Sequence, residues 1–324
     1  MKQLQNRIAE SGLTLPVAAF TGVVVWLLSG LLSHSLWIQL GCFALTVYLL
    51  VELSNQNALL RVRSRMVSAS FIVLTCTACF LLPSLDAGVM QLAFVLAMLM
   101  LLQTYQDPTA AGLTFYGFLA LGVGSLFFVQ TFFYVPLLWL LMATQLQSLS
   151  LRTWLASLIG LATPYWLSLL WLVYQQDFQP LLDHFARLAE APSNLPQLGE
   201  AGLTAFPGAA ASPSWGRLEG AATWLFTLVL TIGGIVHFWQ RSFEDKIRIR
   251  LLYGGFATLA VVSLLLAALF YPHFDVYMRL SFVFASPLIA HAATFTHSRL
   301  SNILFFVVLA LAFAITVMNL ILMY

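Results

Sequence analysis

The chain has 324 residues, of which 61% are hydrophobic and 8% are charged, and its formal net charge is +2. A soluble domain usually carries about 25% charged residues, so this composition excludes an ordinary soluble domain and indicates that lipid solvates most of the surface. The basic residues are spread over separate short connections, which excludes a continuous nucleic-acid-binding patch.

Eleven apolar stretches of near-spanning length follow one another along the chain, and most connections between them are very short. We therefore predict an all-α fold, a polytopic transmembrane helix bundle of about 11 spans that forms a single domain over residues 1–324. Asp107-Pro108 is predicted to cap and open the fifth span. The predicted spans are 14–33, 36–53, 66–84, 88–104, 109–128, 132–146, 153–174, 221–240, 251–270, 280–297 and 300–322.

The lysines and arginines are distributed unevenly between the two sides of this bundle. When the connections are numbered alternately, eleven basic residues fall on one side and three on the other. The smaller set is Arg187, Arg217 and Arg279. The positive-inside rule therefore predicts a cytoplasmic N-terminus and an extracytoplasmic C-terminus.

One connection, 175–220, is long and is predicted to be extracytoplasmic. Its first part, 178–190, places an apolar stripe beside a polar stripe at helical spacing. The apolar residues are Leu181, Leu182, Phe185 and Leu188, and the polar residues are Asp183, His184, Arg187 and Glu190. We predict an amphipathic helix lying on the outer leaflet, with Pro180 in its first turn.

One candidate site lies on the inner side, and another lies within a predicted span. Arg61, Arg63 and Arg65 precede the third predicted span, where three guanidinium groups suit a phosphate or an anionic lipid headgroup. The other interpretation is a topology anchor with ordinary helix packing. His291 lies within a predicted span and is a functional candidate for that reason. Its other interpretation is a neutral histidine bonded to a helix carbonyl.

A third candidate site is predicted on the outer side. Asp183 and Arg187 are four residues apart, as are Asp275 and Arg279, so each pair is spaced to bridge on a helix. Arg187 and Arg279 are candidate phosphate ligands. The candidate acids and bases are His273, Asp275, Asp183 and His184. Snorkelling at the interface and local ion pairs are the competing interpretation.

Several absences narrow the classes of function. No Asp, Glu, Lys or Arg falls near the middle of a predicted span, which disfavours ion-coupled transporters and channels. The sequence has no nucleotide-binding motif, which disfavours a subunit of an ATP-driven pump. We expect neither a cofactor nor a bound metal.

The segment NQNALLRVRSRM and the segment LRTWLASLIGLATPYWL (151–167) resemble an uncharacterised family of bacterial polytopic inner-membrane proteins. This resemblance implies a multi-pass protein of the bacterial inner (cytoplasmic) membrane, but no reaction. The architecture is also similar to that of glycan polymerases, ligases and glycosyltransferases that use lipid-linked sugars. The sequence departs from that pattern in its first outer connection, Ser33-His34-Ser35, which has no acid.

Three functions follow as hypotheses. The leading one is an inner-membrane protein that handles a polyprenyl-phosphate-linked glycan at the outer leaflet, as a transferase if it is an enzyme. The second is a transporter or flippase-like protein, in which the inner arginines meet a headgroup and His291 lines a path. The third is a non-catalytic membrane scaffold. All three take membrane lipid as a partner and exclude nucleic acid.

Overall fold

The computed structural model describes residues 4–62, 64–189, 214–296 and 298–323, and the side chains of residues 214–217 lie outside this description. The described residues form α-helices, short 3-10 segments and turns without a β-strand, which confirms the all-α fold class. In chain order the helices are α1 (Leu4–Glu10), α2 (Thr14–Leu28), α3 (Trp37–Asn57), α4 (Met66–Thr77), α5 (Leu85–Leu101), α6 (Ala111–Phe127), α7 (Tyr134–Thr144), α8 (Leu151–Gln175), α9 (Gln179–Ala186), α10 (Ser214–Arg241), α11 (Ile247–Leu269), α12 (Phe274–Phe295) and α13 (Arg299–Met323).

Seven helical stretches among the described residues are long and apolar enough to cross a membrane. They are Trp37–Asn57, Leu85–Thr104, Leu151–Gln175, Leu218–Glu244, Ile247–Leu269, Tyr271–Phe295 and Arg299–Met323. An eighth is obtained if α1 and α2, which meet at a bend of 86°, are counted as one. The structure therefore supports a polytopic membrane protein but not the predicted count of eleven spans.

The shortfall in the span count arises where the helices are short. Helices form within the predicted spans 66–84, 109–128 and 132–146, but each has only 10–17 residues. Helix α4 stops because Ala78 leaves the helical conformation, with φ −114° and ψ 45°. A helix of about 20 residues is needed to cross the hydrocarbon core.

The predicted opening of the fifth span at Asp107 is also wrong. Helix α6 begins at Ala111, and the Asp107 carboxylate accepts hydrogen bonds from the backbone N–H of Thr109 at 2.9 Å and from its hydroxyl at 2.6 Å. These bonds close a turn before the helix. They also lower the pKa of Asp107, chiefly through the Thr109 hydroxyl.

The chain divides into two compact units, one comprising Met1–Gly88 and Pro192–Tyr324 and the other Val89–Ala191. The sequence analysis did not anticipate this subdivision, and the assignment of a single domain stays a prediction. In the first unit, α12 is the central helix, and 89% of its most apolar 18-residue stretch is buried. It packs against α4, α10 and α11.

Helix α1 lies against the C-terminal end of α12. The side-chain amide of Gln5 donates to the Ala293 carbonyl at 2.7 Å, and that of Asn6 donates to the Thr294 carbonyl at 3.0 Å. The last carbonyls of a helix have no partner within the helix, so these two amides supply one. These bonds hold α1 against α12.

In the second unit, α6 and α8 approach closely through glycine. A Cβ at Gly160 would lie 2.5 Å from the Phe115 carbonyl oxygen, and one at Gly122 would lie 2.8 Å from that of Leu161. Small residues allow such backbone contact between apolar helices. Helix α8 begins with a capping box, in which the Thr153 N–H donates to Ser150 Oγ and the Ser150 N–H donates to Thr153 Oγ1.

The predicted amphipathic helix forms as α9, followed by a 3-10 turn over Arg187–Ala189. Pro180 lies in its first turn, and Leu182 and Phe185 are exposed. An eight-residue helix therefore forms within the predicted stretch 178–190, and its location on the outer leaflet stays a prediction. Residues 190–213 of the long connection lie outside the described residues.

Candidate functional site

Asp245 is buried although it lies in the short connection between α10 and α11. The chain leaves α10 through a 3-10 turn over Ser242–Glu244, and Asp245 then adopts an extended backbone. Its N–H donates to the Ser242 carbonyl at 3.0 Å, and its carbonyl accepts from Nε of Arg250 at 3.1 Å. This geometry turns the carboxylate inward, and its side chain is 1% exposed.

The two oxygens of the Asp245 carboxylate each bind a different side chain. Oδ1 lies 2.7 Å from Nε of Arg61, and Oδ2 lies 3.1 Å from Nε2 of His291 on α12. Arg61 also contacts Glu244 at 3.1 Å, and its guanidinium group lies 4.5 Å from the centre of the Phe295 ring. We call Arg61, Glu244, Asp245 and His291 the Asp245 cluster.

Aromatic rings surround His291, which is fully buried. The ring centres of Phe295, Tyr253 and Phe238 lie 4.7, 5.1 and 5.2 Å from that of His291. Nε2 faces the carboxylate, and Nδ1 has no hydrogen-bond partner within the described residues. A neutral imidazole with its proton on Nε2 satisfies the carboxylate and leaves Nδ1 as the atom that accepts a further proton.

Three guanidinium groups and two carboxylates meet in this region. Arg61 and Arg241 contact Glu244, Arg61 also contacts Asp245, and Arg250 donates to the Asp245 carbonyl. Protonation of His291 would add a further positive charge to a buried place. The ring of His237, 5.4 Å away, is the second imidazole beside it. The arrangement is therefore one that can bind and release a proton.

The candidate inner arginines that the structure describes, Arg61 and Arg65, have different surroundings. Arg61 is committed to Asp245 and Glu244, which reduces its availability for a lipid phosphate. Arg65 is half-buried immediately before α4. Arg63 lies outside the described residues. Their predicted role as headgroup ligands stays a prediction.

Arg279 is fully buried on α12 and donates to the backbone where α4 passes into α5. Its Nη1 lies 3.1 Å from the Ser84 carbonyl oxygen and 3.5 Å from that of Leu81. Asp275, one turn earlier, accepts a hydrogen bond from the Ser84 hydroxyl. His273 is half-buried in the 3-10 turn before α12. These contacts give Arg279 and Asp275 a structural role, and their proposed chemistry stays a prediction.

His184 on α9 is held within the second unit. Its Nε2 lies 3.0 Å from the Ser125 carbonyl oxygen and 3.4 Å from the Tyr165 hydroxyl, which donates to Ser125 Oγ at 2.9 Å. Burial lowers the pKa of His184, Arg187 lowers it further, and the Ser125 carbonyl opposes both effects. Asp183 and Arg187 are exposed, and Asp183 accepts from the side chain of Gln179 at 3.1 Å.

Of the predicted outer residues, Asp183, His184 and Arg187 belong to the second unit, whereas His273, Asp275 and Arg279 belong to the first. Sequence reasoning missed Asp245, which lies in the polar segment RSFEDKIRIR between two predicted spans and was not among the candidate residues. The sequence did contain a signal that could have pointed to Asp245. Acids are rare on the side predicted to be basic, so each carboxylate there has many basic residues as candidate partners. No family model matches the chain, and comparisons with curated proteins and with solved structures found no match.

Proposed function

We propose that this protein is a proton-coupled membrane transporter in which the Asp245 cluster binds the coupling proton. The observation that carries the proposal is the 3.1 Å contact between His291 and Asp245, both of them buried within a bundle of apolar helices. Ionisable groups in such surroundings are costly, and they mark proton relays and ion pathways in membrane proteins. The sequence analysis disfavoured this class because it did not place Asp245 in the interior.

The proposal retains the predicted orientation in a bacterial inner membrane, with a cytoplasmic N-terminus and an extracytoplasmic C-terminus. The Asp245 cluster then lies near the cytoplasmic face. Arg241, Lys246, Arg248 and Arg250 follow or precede it in the sequence, as the positive-inside rule requires. In this orientation the cluster takes up a proton that enters from the extracytoplasmic side and releases it to the cytoplasm.

Protonation of His291 provides a physical reason for the helices to move. The proton would add to Nδ1, and the resulting imidazolium would compete with Arg61 for the Asp245 carboxylate. Arg61 retains Glu244 as a second acceptor at 3.1 Å, so it has a partner if Asp245 turns towards His291. The connection that carries Arg61 would then shift against α12. A change in pairing of this kind is a two-state element of the sort that transport requires.

The experiment is a pH jump applied to proteoliposomes on a solid-supported membrane. We expect a transient charge displacement in the wild type, and we expect His291→Gln and Asp245→Asn to abolish it. His34→Gln is the matched control, because His34 is an exposed histidine in a turn far along the chain from the cluster. Equal currents in wild type and His291→Gln would overturn the proposal.

The lipid-linked glycan hypothesis, which was the leading one on the sequence alone, becomes the second candidate, supported by one observation on α9. Arg187 and Asp183 are exposed beside exposed Leu182 and Phe185, a combination that suits contact with a headgroup and acyl chains. Native mass spectrometry of gently solubilised protein tests it. A co-purifying polyprenyl phosphate that Arg187→Ala loses and Arg152→Ala keeps would support it, and bulk phospholipid alone would count against it.

The scaffold hypothesis makes a third, distinct prediction. A stoichiometric protein partner in the same mass spectra, together with wild-type behaviour of His291→Gln and Arg187→Ala, would favour it over both alternatives. The three functions are therefore separated by one lipid measurement and one electrical measurement.

A further inference from the structure

Helix α4 ends inside the region where the sequence predicts a membrane span. Its last residue is Thr77, Ala78 is not helical, and a 3-10 turn follows over Cys79–Leu81. The last carbonyls of a helix lack helical partners and carry a partial negative charge. A break of this kind within a bundle presents backbone oxygens to the interior.

The Thr77 carbonyl accepts hydrogen bonds from two other helices. Nδ2 of Asn319 on α13 lies 2.6 Å from the carbonyl oxygen, and Oγ1 of Thr223 on α10 lies 3.4 Å from it. Nδ2 of Asn319 also lies 3.2 Å from Oγ1 of Thr223. All three residues are completely buried. Three helices therefore bring polar atoms to one point.

Asn319 holds a buried acceptor that is not used. Its Oδ1 has no hydrogen-bond partner within the described part of the chain. A buried acceptor without a partner costs about 1–3 kcal/mol, so its retention requires an explanation. Rotation of the amide by half a turn exchanges Oδ1 with Nδ2, two atoms of similar size. Oδ1 would then face the Thr77 carbonyl and the Thr223 hydroxyl.

A carboxylate lies one helical turn away. Glu219 precedes Thr223 by four residues, so both project from the same face of α10. Glu219 is 8% exposed, and its carboxylate is close enough to Cys79 in the 3-10 turn to act on that thiol electrostatically. We call Thr77, Glu219, Thr223 and Asn319 the Thr77 site.

We propose that the Thr77 site binds a monovalent hard cation, Na⁺. The donors are a backbone carbonyl, a hydroxyl, an amide oxygen and a carboxylate, and hard cations select oxygen ligands of this kind. Mg²⁺ requires near-octahedral geometry and retains several waters, and Ca²⁺ takes six to eight oxygens. Broken membrane helices use unwound carbonyls and C-terminal ends for Na⁺. This site goes beyond the proposed function and does not depend on the Asp245 cluster.

The test is thermal unfolding of the purified full-length protein in detergent, with NaCl, KCl or choline chloride at constant ionic strength. We expect Na⁺ to raise the unfolding temperature saturably above its value in choline. We expect Thr223→Val to weaken the apparent Na⁺ affinity about tenfold, because it removes one ligand to a charged group. Asn319→Leu and Glu219→Gln should remove the Na⁺ effect.

Thr231→Val is the matched control. Thr231 lies two turns further along α10, is fully buried, and donates to the Thr227 carbonyl at 2.7 Å, the same kind of bond that Thr227 makes to Thr223. It should retain the full response to Na⁺. If Asn319→Leu does not fold, ²²Na⁺ binding to Glu219→Gln by scintillation proximity gives the same information.

Two results would overturn the proposal. The first is an unfolding temperature that is the same in NaCl, KCl and choline chloride. The second is a Na⁺ response that Thr223→Val and Glu219→Gln both retain in full, which would place the cation elsewhere. Neither result depends on the pH-jump currents, so this inference and the proposed function can fail separately.

Discussion

The Asp245 cluster and the Thr77 site lie towards opposite ends of α10, and they satisfy buried polar groups in different ways. Thr223 and His237 are fourteen residues apart on this helix, a rise of about 21 Å. The Asp245 cluster consists of ion pairs, with a carboxylate shared between a guanidinium group and an imidazole. The Thr77 site consists mainly of neutral dipoles around a broken helix.

This difference shows how one membrane bundle can contain one site that responds to protons and another that responds to a metal cation. A shared carboxylate responds to protons, because protonation of its imidazole partner changes the local charge. The neutral oxygens of the Thr77 site respond little to protons, and together with the Glu219 carboxylate they can replace the hydration shell of a metal cation. The two sites can therefore be disturbed independently, and variants at each should show different signatures.

The largest effect is expected from Asp245→Asn. The change leaves Arg61 and His291 without the buried carboxylate that both contact, and loss of one member of a buried ion pair costs about 3–5 kcal/mol. Unfolding in mixed micelles with increasing SDS measures this loss. Asp86→Asn is the control, because Asp86 is an exposed acid in the first turn of α5. Equal stability of the two variants would show that the cluster contributes little.

A somewhat smaller effect is expected from Arg279→Ala, which tests a buried charge outside both sites. The variant loses the bonds to the Ser84 and Leu81 carbonyls, and hydrogen bonds to charged groups contribute about 1.5–3 kcal/mol. We expect destabilisation by about that amount in the same SDS titration, with little change for exposed Arg152→Ala. Normal stability of Arg279→Ala would argue against a structural role for Arg279 and would favour its predicted role as a phosphate ligand.

A modest effect is expected from Thr223→Val. Removal of its hydroxyl takes away one neutral contact with the Thr77 carbonyl, which is worth about 1 kcal/mol. The pH-jump current should persist in this variant, whereas His291→Gln should lose it and keep the response to Na⁺. If either variant abolishes both responses, the two sites are coupled rather than independent.

The smallest effect is expected at His184 in the second unit. Because burial lowers its pKa below the ordinary value of about 6.5, the unfolded chain takes up the proton more readily. The neutral His184 side chain therefore contributes to stability at a pH above the ordinary pKa of about 6.5, and this contribution is lost as the pH falls below it. The decrease in unfolding temperature between pH 8 and pH 5 should be smaller for His184→Gln than for wild type. Identical pH dependence would show that His184 is not buried in solution.

Much of the secondary structure could be predicted because apolar composition and helix formation are local properties. Helices occur at all eleven predicted places, and α9 begins one residue after its predicted start. Where the prediction failed, the cause was a local competitor. Ala78 interrupts α4, and the Asp107 side chain closes a turn with Thr109 instead of capping α6.

The candidate sites were less predictable because their members are far apart in sequence. Arg61, Asp245 and His291 come from three segments, and the spacing of residues within each segment carries no information about the others. His291 was noticed because an ionisable residue in an apolar run is rare. Asn319 was not noticed, because an uncharged amide near the end of a helix is unremarkable until its partners are seen.

The sequence by itself determined that this is an all-helical membrane protein, because so few charges leave too little polar surface for water to solvate. Its assignment of one side as the basic side depends on counting eleven spans, and it stays a prediction. Only the tertiary structure decided which charges are buried and what each contacts. Asp245 is buried because Arg61 reaches it from the connection between α3 and α4 and His291 reaches it from α12, and a buried carboxylate is tolerated only where such partners converge.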